Sequence, residues 1–288
     1  MKLSSLFFLF LFSLQVVSAQ NLEDLLDDTL LQIPKTELVT STFKSVQLIN
    51  SHTTKSPVKD ELVFLISHRF GYINSGFSNF FGLDNATARF GFEYGITDKL
   101  ALGFGRSTYK SNYDFFGKYA LLRQTKGSKN IPFTLSVLGV ANISSAKWPD
   151  DGNVYLFAHR MSYTAQFLLA RKFNRNLSLQ LMPTFIHRNL VEKSTDQNDV
   201  FSLGAGGRVK VSNWVALTFE YHYLLPGETA NQYENPLSVG VDIETGGHVF
   251  QLFFTNTAAV YDAAYITETI DRWRDGNIRF GFNISRTF

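Results

Sequence analysis

From residue 61 onward the chain repeats one pattern: segments of about ten residues in which apolar and polar side chains alternate with a period of two. The last segment, NIRFGFNISRTF, shows it most plainly. Ile278, Phe280, Phe282 and Ile284 share one face of an extended strand, while Asn277, Arg279, Asn283, Ser285 and Thr287 share the other. Such a strand fits a place with lipid on one side and a watery lumen on the other. The competing reading is a half-buried strand of a soluble β-sandwich.

Other segments repeat the rule. Phe90, Phe92, Tyr94 and Ile96 oppose Arg89, Gly91, Glu93 and Gly95; Val215, Leu217, Phe219, Tyr221 and Tyr223 oppose Ala216, Thr218, Glu220 and His222. Strand centres fall near Phe64, Gly91, Phe104, Tyr119, Val137, Tyr163, Leu181, Ala205, Phe219, Val239, Leu252 and Phe282. About twelve strands is an even number, as single-chain bacterial barrels favour. The fold class expected is all-β: a transmembrane antiparallel up-and-down β-barrel of about twelve strands behind a short N-terminal periplasmic segment.

The connections are sorted by length. Short ones at Thr97 to Lys99, Gly127 to Asn130, Asn174 to Asn176, Ser212-Asn213 and Thr245 to Gly247 carry turn residues. The intervening ones, at 73–84, 144–153, 191–199, 225–235 and 257–276, are long, with one tight exception near Ser111 and Asn112. Short periplasmic turns opposite longer outer loops are the barrel arrangement, and an even strand count puts both barrel ends in the periplasm. Composition agrees. Aromatic residues make up 15% and charged residues only 18%, against a usual quarter, and beyond residue 19 no apolar run is long enough for a membrane helix.

The N-terminus reads as a signal peptide over residues 1–19: Lys2, an apolar run from Leu6 to Leu14, and a small-residue site at Val17-Ser18-Ala19. That leader directs the chain across the inner membrane toward the bacterial outer membrane. Zero cysteines exclude disulfides, thiolate metal sites, thiol catalysis and a lipobox. A net charge of +2 provides no footprint for nucleic acid. Residues 20–56 stand apart from the barrel, which is taken as 57–288. Leu22, Leu25, Leu26 and Leu30 form a helical stripe that Pro34 stops. It reads as a frayed periplasmic helix, a docking helix for a periplasmic partner, or a plug. Thr42 to His52 is expected inside or beneath the barrel.

Several stretches carry a resemblance: Phe43-Lys44-Ser45 followed by Ile49-Asn50, Ile66 to Gly71, Phe80 to Asp84, Glu93 to Asp98 and Lys118 to Gln124. They are similar to a family of bacterial outer-membrane β-barrels of the domain of unknown function 5777 type. The resemblance implies location and architecture and carries no activity onto any residue. The final Phe288, with Phe280 and Phe282, also resembles the C-terminal signal by which the barrel-insertion machinery recognises its substrates. Outer-membrane lipid and that machinery are therefore the expected partners.

The six histidines show no HExxH and no metal-ligand spacing, so no metal or cofactor is expected. Ser67-His68 or Ser162 with His159 could serve a lipid-facing hydrolase, but no nucleophile elbow supports either pair, and no catalytic residue is assigned. Strand glycines such as Gly103, Gly105, Gly204, Gly206 and Gly207 read as close packing. Following the alternation inward selects a lumen lined by Arg89, Glu93, Lys118, Arg160, Gln166, Gln180, Arg188, Arg208, Glu220, Asp242 and Arg279. Charge at mid-depth on the lipid face costs about 2–4 kcal/mol for Arg or Lys, which is why these point inward. The charges either pair into a salt-bridged plug or leave a narrow path, since twelve strands lie between a filled barrel and an open channel. Three functions follow in order: a narrow pore or transporter for a small solute or ion, a non-conducting structural or partner-binding barrel, and a membrane-embedded lipid hydrolase.

Overall fold

The computed structural model describes residues 35–288. The expected signal peptide and the leucine stripe at Leu22 to Leu30 lie outside the described residues. Twelve strands form one closed antiparallel barrel. They are β1 (Leu62–Tyr72), β2 (Ala86–Gly95), β3 (Leu100–Ser107), β4 (Asn112–Leu122), β5 (Thr134–Ser144) and β6 (Met161–Lys172). The second half comprises β7 (Leu177–Arg188), β8 (Asp199–Lys210), β9 (Val215–Leu224), β10 (Leu237–Thr245), β11 (His248–Thr255) and β12 (Arg279–Thr287). Each strand pairs with its neighbours in sequence, and β12 returns to β1 through Asn283 opposite Ser67 and Ile284 opposite Ile66. Every centre expected from the alternation falls within one of these strands.

The short turns close by a shared device. Thr97 Oγ1 accepts the N–H groups of Lys99 and Leu100, Asn174 Oδ1 those of Asn176 and Leu177, and Ser212 Oγ those of Trp214 and Val215. One short polar side chain thereby satisfies donors that a reversing chain would otherwise leave unpaired. The reading of Gly127 to Asn130 as a bare turn is corrected: it belongs to a longer connection whose Thr125–Lys126 pairs with Glu37–Leu38 outside the barrel. Both barrel ends lie at the short-turn end, where Phe288 N–H donates to Leu62 O at 2.8 Å.

Outward positions carry Phe90, Phe92, Leu102, Phe115, Phe167, Leu203 and Leu217, all exposed. They form a continuous apolar belt, which a soluble monomer rarely shows and a lipid-facing barrel requires. Inward positions are buried although mostly polar, because two segments fill the lumen. From the short-turn end, residues 42–53 enter as a hairpin with Gln47 bridged to His52. From the long-loop end, the β11–β12 connection folds in. The β9–β10 connection carries a short helix, α1 (Glu228–Gln232), and the β11–β12 connection carries another, α2 (Asp262–Thr267), whose six residues are all buried.

Candidate functional site

The hairpin folds on itself through Thr53 N–H to Val46 O at 2.9 Å and Leu48 N–H to Ser51 O at 2.8 Å. The peptide groups at its tip need partners from outside, and the wall supplies them. Glu220 on β9 accepts the backbone N–H groups of Ile49 (3.3 Å), Asn50 (2.9 Å) and Ser51 (3.1 Å), and the Asn50 side-chain amide at 2.5 Å. The Ile49 carbonyl accepts from Asn283 on β12 at 2.8 Å, and the Leu48 carbonyl from Gln251 on β11 at 2.6 Å. Arg69 on β1 reaches Asn50 Oδ1 at 2.8 Å and Asn283 Oδ1 at 3.0 Å, with its guanidinium over the Phe253 ring at 4.3 Å. Ser238 on β10 also accepts from the Asn50 amide at 2.9 Å, so five strands grip one tip. Gly206 admits it: a Cβ there would lie 2.4 Å from the Leu48 side chain.

Closer to the short-turn end, Lys118 Nζ donates to the carbonyls of Thr53 (3.2 Å) and Lys55 (2.5 Å) and pairs with Glu93 at 3.0 Å. Gln180 takes the Thr54 N–H at 3.0 Å and donates to His52 O at 2.8 Å. Arg208 pairs with Asp242 at 3.8 Å and with Glu244, which also meets Lys44 of the hairpin base. Arg89 and Asp114 form a bidentate pair with contacts of 2.8 and 2.5 Å. Of the expected lining residues, Gln166 is also buried within the wall, and Arg188 and Arg279 lie at the long-loop end. There Arg279 bonds Asp271 at 3.1 Å. The placement of Arg160 on the wall is corrected. It ends a 3-10 turn before β6 and stacks over Trp148 in the outer loops, because its strand starts one residue later.

The two plugs touch. Tyr265 of α2 donates to Ser51 Oγ at 3.1 Å, Ser51 meets His222 Nε2 at 2.8 Å, and the His52 and Asp262 side chains stand 3.7 Å apart. That last distance suits an ion pair, but the environment opposes one. Burial pushes Asp262 up to about 7, with Asp114 adding to the effect. Burial, with Lys118 and Arg89 nearby, holds His52 well below the usual imidazole range. His52 is therefore neutral near pH 7 while Asp262 is close to its titration midpoint, so the contact is not a fixed ion pair.

Alternation by itself missed Arg69, Gln251 and Asn283 as grips and Asp114 as the partner of Arg89. Each sits at an inward parity position, so the signal existed without a reason to single them out. Tyr265 carried no signal, because its loop has no period. Ser67 is buried inward while its neighbour His68 packs on the outer aromatic face against Phe282 at 5.1 Å, so that pair cannot share one catalytic task. Among the described residues no three His, Asp or Glu side chains gather as a metal site.

No curated protein matches the chain by sequence. Its barrel is similar to the COG4313 outer membrane channel from Pseudomonas putida F1, with a TM-score of 0.50 and 13% identity over 81% of this chain and 97% of that one. It is similar also to the NanC porin, with a TM-score of 0.48 and 10% identity over 79% of this chain and 98% of that one. At such identities the first likeness speaks for the fold. Residues 43–288, the lumen hairpin included, match a single family, and the chain belongs to that family, the membrane-bound β-barrel domain DUF5777.

Proposed function

We propose that the chain is an outer-membrane pore for a small polar solute or ion, closed in this state by its N-terminal hairpin and by the loop carrying α2. The observation that carries this reading is the chemistry of the wall. Beyond the groups that grip the hairpin, the inward hydroxyls of Ser67, Ser136, Thr164, Ser202 and Thr218 are buried without a partner among the described residues. Each such group costs about 1–3 kcal/mol if it stays dry. A permanently sealed barrel gains nothing from them, whereas a wall that meets water or solute satisfies them. The hairpin is held largely by side chains closing on peptide groups, a set of contacts that water can replace.

A second reading, a non-conducting structural or partner-binding barrel, draws on the long-loop end. There Ala264, Tyr265 and Ile266 pack with Ile186, Val200 and Leu224 in an apolar cluster. Planar-bilayer recording of the purified full chain, of Glu220→Ala and of a form lacking residues 20–56 separates the two. The pore reading expects low current in the full chain and stepwise conductance once the hairpin is loosened or removed. Zero current in all three would leave the sealed barrel.

A further inference from the structure

A cavity of about 460 Å³ opens at the long-loop end, beside the loop that carries α2. Lys110, Lys147, Arg160 and Arg188 line it, against the carboxylates of Glu192 and Glu268. Four positive groups against two negative leave an excess of two positive charges in the lining. Both carboxylates are already engaged by one cation, since Lys110 Nζ lies 2.6 Å from Glu192 and 2.8 Å from Glu268. Among the described residues Lys147, Arg160 and Arg188 have no carboxylate at ion-pair distance.

The two arginines are held with donors to spare. Arg160 sends both of its bonds through Nη1, to Ser144 O at 3.0 Å and Ala146 O at 2.6 Å. Its guanidinium lies over the Trp148 ring at 4.3 Å, and Trp148 in turn stacks on Tyr155 at 4.3 Å, which fixes the plane. Nε and Nη2 of Arg160 have no partner among the described residues. Arg188 sends its bonds through Nη2, to Gln197 O at 2.7 Å and Thr229 Oγ1 at 3.1 Å. Among the described residues its Nε is buried with no acceptor, and Arg188 is only 6% exposed. Ser162, two residues after Arg160, is the register partner of Arg188 across β6 and β7, so the two groups project from adjacent chain. A buried guanidinium without a counter-charge is costly, and an anion entering the cavity removes that cost.

We infer that this cavity binds a small organic anion, whose carboxylate or phosphate is taken by Arg160 and Arg188. A planar guanidinium matches the two oxygens of either group, whereas a neutral solute leaves the spare donors unmet. The neighbouring Tyr261 and Glu268 belong to the loop that fills the lumen, so an anion here would meet the closure itself. The inference deepens the pore reading by naming the class of solute at its outer entrance, and it rests on that reading for the direction of traffic alone.

Isothermal titration of the purified full-length barrel in detergent, at low salt, tests it with glucuronate, glucose 6-phosphate and glucose. The expected result is saturable binding of one or both charged sugars, weakened by added salt, with none for glucose. The stronger of the two charged probes tells carboxylate from phosphate. Arg160→Gln with Arg188→Gln should weaken binding about ten-fold or more. Arg160→Gln alone, in a surface loop, keeps the test available if the double variant does not fold. Equal binding of glucose, no binding of either anion, or unchanged affinity in the arginine variants would overturn the assignment. Anion binding together with zero current in the full chain, in Glu220→Ala and in the form lacking residues 20–56 would instead sink the pore reading and leave the site standing.

Discussion

Glu220 holds Asn50 at two points: the same Oε1 accepts its backbone N–H at 2.9 Å and its side-chain amide at 2.5 Å. The other oxygen reaches the neighbouring N–H groups of Ile49 and Ser51. One buried carboxylate thus takes three successive peptide N–H groups at the tip of a hairpin whose Asn50 lies 170 residues earlier in the chain. A carboxylate with so many donors is a strong acceptor, and its loss strands the three peptide N–H groups, while the Asn50 amide keeps Ser238 Oγ at 2.9 Å.

Removing that carboxylate should unseat the hairpin. Each stranded donor costs about 1–3 kcal/mol, so Glu220→Ala shifts the hairpin toward the solvated state. Because the chain has no cysteine, Val46→Cys, at a buried hairpin position, provides a single reporter thiol. Its maleimide labelling should be slow in the Glu220 background and at least about ten-fold faster with Glu220→Ala. Equal rates would show that Glu220 is not the latch.

The His52–Asp262 contact should give the plug a pH response in two opposing parts. Asp262 is raised to about 7 by burial first and Asp114 second. It therefore binds a proton in the folded state that the unfolded chain releases near 4, and its contribution is lost as pH rises between those values. His52 is lowered, by burial first, so stability is lost as pH falls below the free-imidazole value of about 6.5. The two trends largely offset each other in the native chain. Asp262→Asn should expose the loss on the acid side, and His52→Gln the loss from about pH 4 to 7. Thermal unfolding across pH reads both, and identical profiles for the two variants would refute the assignment.

Arg89 and Asp114 are both nearly fully buried. Arg89→Gln leaves a buried carboxylate uncompensated, which should destabilise the barrel by about 3–5 kcal/mol. The double change Arg89→Gln with Asp114→Asn should recover much of that loss. The unfolding temperature in detergent micelles measures both, and additive losses would mean the pair is not coupled.

The terminal strand should govern assembly. Phe282 stacks on His68 at 5.1 Å and Phe280 on Phe70 at 5.8 Å, both across the β12–β1 seam on the outer face. Replacing Phe280 and Phe282 with Asp puts charge on that face and removes the seam contacts. Deleting Phe288 removes the bonds it exchanges with Leu62 at 2.8 and 3.2 Å. Heat-modifiable migration of membrane fractions should show less folded barrel in both variants. Normal amounts would show that the terminus plays no part in assembly.

Alternation carried the strands because its cause is local. Side chains on a strand point to opposite faces in turn, and Arg89 or Glu220 can be assigned inward by counting from a neighbouring phenylalanine. Turn positions were legible for the same reason, since Thr97, Asn174 and Ser212 bond donors two and three residues away. Arg160 escaped the count because the period holds only within a strand, and β6 begins after it.

By itself the sequence determined about twelve membrane-length strands, the face each presents to lipid and, apart from the connection holding Gly127 to Asn130, the sorting of short turns from long loops. Tertiary structure decided what fills the lumen. Thr42 to His52 is legible as a segment inside or beneath the barrel because it falls outside the strand count, but neither its hairpin form nor the helix Asp262–Thr267 has a period that announces it. Their positions depend on Glu220, Arg69, Asn283 and Tyr265 meeting in space from distant parts of the chain. Such contacts exist only once the barrel closes, so a local pattern cannot encode them.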